Sequence, residues 1–219
     1  MPTRLVLERA WALADEMALV VHCSRPLIAR RTWGSTSAAA ASRMIFITWE
    51  PPPPSFLKVN FDGSVSDRGL RGGAGFVIRD PTSRLIAVGG CQISDTSVPG
   101  AELRAAWAGL RFARCRLGAS TIVLEGDSAT VIGWIRDRAE RGFRPHPLLG
   151  DIWRMVDGCV AFEARHIYRE GNGAADWMAS YAAYHQGDVL WEGTGLLSQA
   201  LRIILLSDSS GCIYSRILN

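Results

Sequence analysis

Long hydrophobic runs are missing from this sequence of 219 residues. The longest apolar stretch near its start, Met17 to Val21, follows directly on Asp15 and Glu16 and falls far short of the roughly 20 residues that a bilayer-spanning helix needs. No transmembrane helix is expected, and no membrane partner. Cysteine is sparse and irregular: Cys23, Cys91, Cys115, Cys159 and Cys212 are odd in number, widely scattered, and never form CxxC or flank a histidine pair. That pattern indicates neither a zinc site nor a disulfide framework. The five are expected as small apolar side chains in a reducing compartment, nuclear or cytoplasmic. Acidic residues are absent from Met17 to Trp49, where Arg25, Arg30, Arg31, Arg43 and an Ala/Ser run have the flavour of an organellar transit peptide, but Glu8, Asp15 and Glu16 upstream oppose that reading. A strong charge of either sign is lacking as well. The net charge of +3 and pI near 8.7 permit a polyanionic partner without requiring one.

What is present is enough apolar material, 48% of residues, for one ordinary core with appendages. Residues 1–23 have apolar residues at helical spacing from Arg4 to Val21 and are expected as an N-terminal helix. Residues 24–55 are expected as a linker ending in the tetraproline Pro51 to Pro54, which cannot join a sheet ladder and favours an extended, stiff conformation. The folded domain is expected over residues 56–187, with 188–219 as a C-terminal tail. Phe56 to Asp62 alternates as a half-buried strand. A glycine-rich turn (Arg68 to Gly73), a strand (Ala74 to Arg79), a turn (Asp80 to Ser83) and a third strand (Arg84 to Ile93) complete an antiparallel meander. Pro99 opens a helix to about Leu117, with Leu103, Trp107, Leu110 and Ala113 as its stripe, and Gly118 ends it. A strand at Thr121 to Leu124, helices at Ser128 to Arg138 and Leu148 to Val156, and a strand at Val160 to Tyr168 follow. Asn172 caps a last helix whose Trp177, Met178, Tyr181 and Tyr184 are expected to face the core. The order βββαβα(α)βα predicts an α/β fold with a five-stranded mixed sheet, three strands antiparallel and two parallel, flanked by helices. Ligands gather where the carboxyl ends of the central strands meet.

Four acids fall at that end. Asp62 closes the first strand before Gly63, Glu102 lies in the first turn of the long helix, Asp127 follows the fourth strand, and Asp176 sits one turn past Asn172. Each has a plain structural explanation alone: a turn, a charge at a helix N-terminus, an N-cap that Ser128 would serve equally well, another dipole partner. Together they are different, because two strand ends and two helix starts can converge. Clustered carboxylates repel and raise one another's pKa values, so they persist only where cations neutralise them. Oxygen ligands without Cys or His select magnesium or manganese.

The runs Leu57-Lys58-Val59-Asn60-Phe61-Asp62-Gly63-Ser64 and Gly73 to Asp80, the helix start Ala101 to Ala106, Glu125-Gly126-Asp127-Ser128, and His166 to Ala179 resemble the type 1 ribonuclease H family. The likeness is greatest to the plant subgroup attached to non-LTR retroelement reverse transcriptases, whose lead-in and tail are similar to Trp49 with the proline run and to Leu205 to Arg216. The resemblance implies the ribonuclease H-like fold and two-metal hydrolysis of the RNA strand of an RNA/DNA hybrid, leaving a 5′-phosphate and a 3′-hydroxyl. Asp62 would bridge two Mg2+ ions, Asp176 would join it on the nucleophile side, and Glu102 with Asp127 would hold the leaving-group ion. Recognition would go through 2′-hydroxyls and groove shape. A monomer is expected.

Two departures stand out. The loop Glu170-Gly171-Asn172-Gly173 is short and lacks the histidine of the cellular enzymes, and Ser97-Val98-Pro99-Gly100 replaces their asparagine-rich segment. His166, inside a strand, is expected to be structural. Arg136, Arg138, Arg141 and Arg144 form a basic run interrupted by Asp137 and Glu140, read as a solvated helix end rather than a phosphate track. Trp134 is a candidate for base stacking but fits core packing better. Two other readings stay open: a catalytically silent, retroelement-derived binding module, and a nuclease of the same fold with a different substrate such as duplex DNA.

Overall fold

The computed structural model describes residues 43–66, 69–94, 97–138, 146–195 and 197–218. The expected N-terminal helix, most of the linker, and Arg141 and Arg144 lie outside them. In chain order come β1 (Arg43–Ile47), β2 (Leu57–Ser66), β3 (Arg71–Arg79), β4 (Leu85–Ile93), α1 (Val98–Arg111) continued by one π-helical stretch (Phe112–Arg116), β5 (Thr121–Gly126), α2 (Ala129–Asp137), α3 (Pro147–Asp157), β6 (Ala161–His166), a 3-10 turn (Arg169–Gly171), α4 (Gly173–Tyr184), β7 (Asp188–Glu192), α5 (Gln199–Ser209) and β8 (Tyr214–Leu218).

Six strands, not five, make the main sheet, in the order β6-β5-β2-β3-β4-β7, with β2, β5 and β6 parallel and the rest antiparallel. The added strand comes from the segment expected as a tail. Gly187, at φ +87°, turns the chain after α4, and Asp188 to Glu192 pairs along β4 with Val189 and Trp191 set inward against the core. Five residues with acids at both ends and an exposed Leu190 carry little strand signal. α5 buries Leu201 and Leu205 in the same core. The lead-in also folds: β1 pairs antiparallel with β8, and Trp49 is buried.

α1 covers one face of the sheet, packing Leu103 and Leu110 on Val59, Phe61, Phe76, Ile78 and Leu124. Each such fully buried side chain contributes about 1.5–3 kcal/mol. α4 covers the other face with alanines, Ala174, Ala175, Ala179, Ala182 and Ala183, around Met178. Trp177, Tyr181 and Tyr184, expected inside, are only half-buried. The reason is the sheet beneath. A Cβ on Gly73 would come within 2.1 Å of the Ala179 carbonyl oxygen, and one on Gly75 within 2.3 Å of the Ala179 nitrogen, so helix and sheet approach too closely for aromatic rings. Gly72 and Gly73 are accordingly strand residues, not the expected turn, and β2 runs on to Ser66.

Candidate active site

Asp62 therefore sits inside β2, opposite Gly75, on the face that α4 covers. Gly63 follows, and its missing Cβ decides the site: a side chain there would stand 2.4 Å from the Glu102 nitrogen and 2.5 Å from the Ala101 carbonyl carbon. Only glycine lets the start of α1 lie on the strand. Ser97 caps that helix, its hydroxyl accepting from the Gly100 N–H at 3.2 Å, and Glu102 in the first turns is carried over the strand into the cleft. Asp127 comes from the loop after β5. Ser128 takes the N-cap of α2, accepting from the Val131 N–H, which releases the Asp127 carboxylate.

Asp62, Glu102 and Asp127 thereby offer one ligand oxygen each within 4.8 Å of one another. Asp62 and Glu102 are buried, and Asp127 is half-buried. Asp176, from the first turn of α4, lines the same cleft of about 250 Å³ together with Arg169, Ser64, Val65 and Val98. It stands on the wall, ion-paired with Arg169, rather than inside the close triad. A larger hollow of about 460 Å³ between α1 and β7 is floored by Phe76, Trp107 and Phe112 and gathers no acid cluster.

Burial first, then the charges of Glu102, Asp127 and Asp176, hold the Asp62 carboxyl well above the usual range. Burial and the Asp127 charge push Glu102 up to about 8, against the pull of the Gly63 N–H and Arg169. Among the described residues, Glu102 Oε2 is buried without a hydrogen-bond partner. A buried, repelling set of hard oxygens with one lone acceptor is what a small divalent cation would satisfy, so these residues fit such an ion.

The sequence reading assigned two side chains beside the cleft no part in the site. Arg169 was visible only as part of a motif. Asn172 occupies the N-cap position of α4 but makes no cap hydrogen bond; its Nδ2 donates to the Phe61 carbonyl at 2.9 Å. No local pattern marks a bond over that span of chain. The other candidates take structural places. His166 Nε2 lies 3.1 Å from the Asp127 carbonyl oxygen, Trp134 packs against the main core, Arg136 donates to the Ala164 carbonyl at 2.6 Å, and Arg138 pairs with Asp157.

A family model described as reverse transcriptase-like matches residues 60–182, spanning β2 to α4 and all four acids. The chain belongs to the reverse transcriptase-like family. Among the proteins to which this reverse transcriptase-like chain is similar is an Arabidopsis thaliana protein named provisionally as a ribonuclease H protein, 29% identical over 174 residues. That match covers 75% of this chain and 26% of the relative, so the chain spans about a quarter of the relative's length. Two solved structures share the ribonuclease H-like fold. RNase H1 of the archaeon Halobacterium salinarum has 24% identity and a TM-score of 0.51, over 58% of this chain and 96% of its own. The N-terminal RNase H domain of a Mycobacterium tuberculosis protein has 23% identity and a TM-score of 0.51, over 58% and 93%.

Proposed function

We propose that the cleft is the active site of a metal-dependent endonuclease that hydrolyses the RNA strand of RNA/DNA hybrids. The meeting of Asp62, Glu102 and Asp127 within 4.8 Å carries the reading, and the unpartnered Glu102 oxygen supports it. Asp62, Glu102, Asp127 and Asp176 would hold two Mg2+ ions, with Mn2+ as a substitute. When bound, such ions supply an activated water for in-line attack and charge neutralisation at the leaving 3′-oxygen.

The chain's own residues do the rest. Gly63 brings the Glu102 carboxylate against Asp62, and the Ser128 cap leaves Asp127 unoccupied by the helix. Arg169, largely exposed on the cleft wall, keeps Asp176 turned inward and presents a guanidinium to an incoming phosphate, which suits its planar donors. Ser64, Val65 and Val98 make a rim of small residues along which a sugar-phosphate backbone can pass, in keeping with recognition by 2′-hydroxyls and groove shape rather than base sequence.

The test is cleavage of labelled RNA/DNA hybrid, double-stranded RNA and double-stranded DNA with and without magnesium. Hybrid alone is expected to be cut, only with magnesium, and Asp62→Asn is expected to lower the rate by at least about a hundredfold. An Asp62→Asn protein that cuts like its parent removes Asp62 from the site. A parent that binds hybrid and leaves it intact would be the silent binding module instead.

A further inference from the structure

Behind Asp62, two residues back on the same strand face, Asn60 is 1% exposed, and its amide is used on both sides. Its Oδ1 accepts from Trp49 Nε1 at 2.9 Å and from Arg79 Nη2 at 3.4 Å. Its Nδ2 donates to Glu125 Oε2 at 3.1 Å and to Asn172 Oδ1 at 3.3 Å. The two donations reach the elements that bring acids to the cleft. Glu125 precedes Asp127 by two residues in β5, and Asn172 precedes Asp176 by one helical turn while holding the Phe61 carbonyl beside Asp62.

The two acceptances reach the flanks of the domain. Trp49 stands in the lead-in, and Arg79 is held by Asp208 of α5 at 2.8 Å with its guanidinium 3.5 Å from the centre of the Trp49 ring. Both Trp49 and Asp208 lie outside the residues 60–182 that the family model matches. Turning the Asn60 amide over would set its oxygen against the Glu125 and Asn172 oxygens and its NH2 against the Trp49 and Arg79 donors. The flanking donors therefore leave one orientation, in which β2, β5 and α4 are pinned at a single point.

We propose that Asn60 is a positioning residue for Asp62, Asp127 and Asp176, and that Trp49 with the Arg79–Asp208 pair, supplied by the flanking segments, sets the orientation of its amide. This rests on reading the cleft as a divalent-metal site with nuclease activity. Glu102 stands apart from the device, because the contact of α1 with Gly63 locates it. Side chains behind metal ligands commonly carry such orienting roles.

Asn60→Asp in the full chain tests it. That change keeps an acceptor toward Trp49 and Arg79, removes both donations, and sets a second carboxylate against Glu125. With folding checked by circular dichroism, manganese affinity is read by calorimetry and hybrid cleavage by initial rates. The expected result is manganese affinity and kcat both lowered by about 10–100-fold, with KM for the hybrid changed by less than about threefold. A purely structural role would lower the melting temperature and leave affinity and kcat at parental values below it, and that result overturns the proposal. If Asn60→Asp does not fold, Trp49→Phe decides, because it removes one N–H and keeps a ring in place; manganese affinity should fall, and an unchanged affinity overturns the idea. A parent that cuts no hybrid removes the nuclease reading only, since the affinity comparison still decides the positioning role. A parent that binds no manganese removes both.

Discussion

Glu102 shares a buried corner with Asp62 and Asp127, and both buried acids are held above their ordinary range, first by lost hydration and then by neighbouring charge, that of Glu102 and Asp127 on Asp62 and that of Asp127 on Glu102. A carboxyl raised from 4.5 to about 8 binds more protons folded than unfolded across that interval, so without metal its contribution to stability is full at low pH and is lost as pH rises through 4.5 to 8. The metal-free protein is expected to show a melting temperature that falls over this window, by about 2–4 °C for each kcal/mol lost. Saturating magnesium should flatten the slope, and Glu102→Gln should flatten it without metal. Thermal scans at stepped pH, with chelator and with magnesium, check both.

At the scale of elements, caps and close approaches position the acids. Asp127 stands one residue before a helix, where it would itself make a good cap, and Ser128 denies it that place. Ser128→Ala should cost about 1 kcal/mol of stability and also let Asp127 turn toward the free N–H groups of α2, so hybrid cleavage should fall by more than the stability loss explains. Cleavage rates measured well below the melting temperature separate the two effects; a stable Ser128→Ala variant with the parental rate would show that Asp127 does not depend on the cap. The short strand β7 illustrates another property of elements. Its pairing with β4 is decided by the free edge and by the inward seats of Val189 and Trp191, neither of which its own five residues announce.

For the molecule as a whole, two ion pairs among the described residues are buried on the α4 face. Lys58, the only lysine in the sequence, pairs with Glu125 at 2.9 Å and donates to the Glu50 carbonyl at 2.7 Å. Arg79 pairs with Asp208 at 2.8 Å. Burial pushes the Lys58 ammonium and the Arg79 guanidinium down and the Asp208 carboxyl up, so desolvation outweighs attraction in setting these shifts. Breaking such a pair from one side leaves a buried charge and typically costs about 3–5 kcal/mol, whereas replacing both partners by apolar groups is often close to neutral. Asp208→Ala is therefore expected to be strongly destabilising, and Asp208→Ala with Arg79→Met to recover most of the loss. Denaturant melts of the two variants check the difference. If the double change is as damaging as the single one, the pair does more than balance charge.

Local pattern alone determined a good deal. Alternation in Phe56 to Asp62 and the stripe Leu103, Leu110 and Ala113 identified the mixed sheet and the main helices, because these depend on spacing of two or of 3.6 residues along the chain, and the four acids stood out through the expected meeting of strand ends and helix starts and through the family resemblance. What spacing cannot report is distance through space. Only the fold decided that Gly63 exists to admit α1, that glycines on β3 seat an alanine face of α4 and turn Trp177 and Tyr181 aside, that β7 and α5 complete the sheet and core, and that Asp176 stands on the cleft wall with Arg169. The first three follow from contacts between segments far apart in sequence, and such contacts leave no periodic trace in either partner.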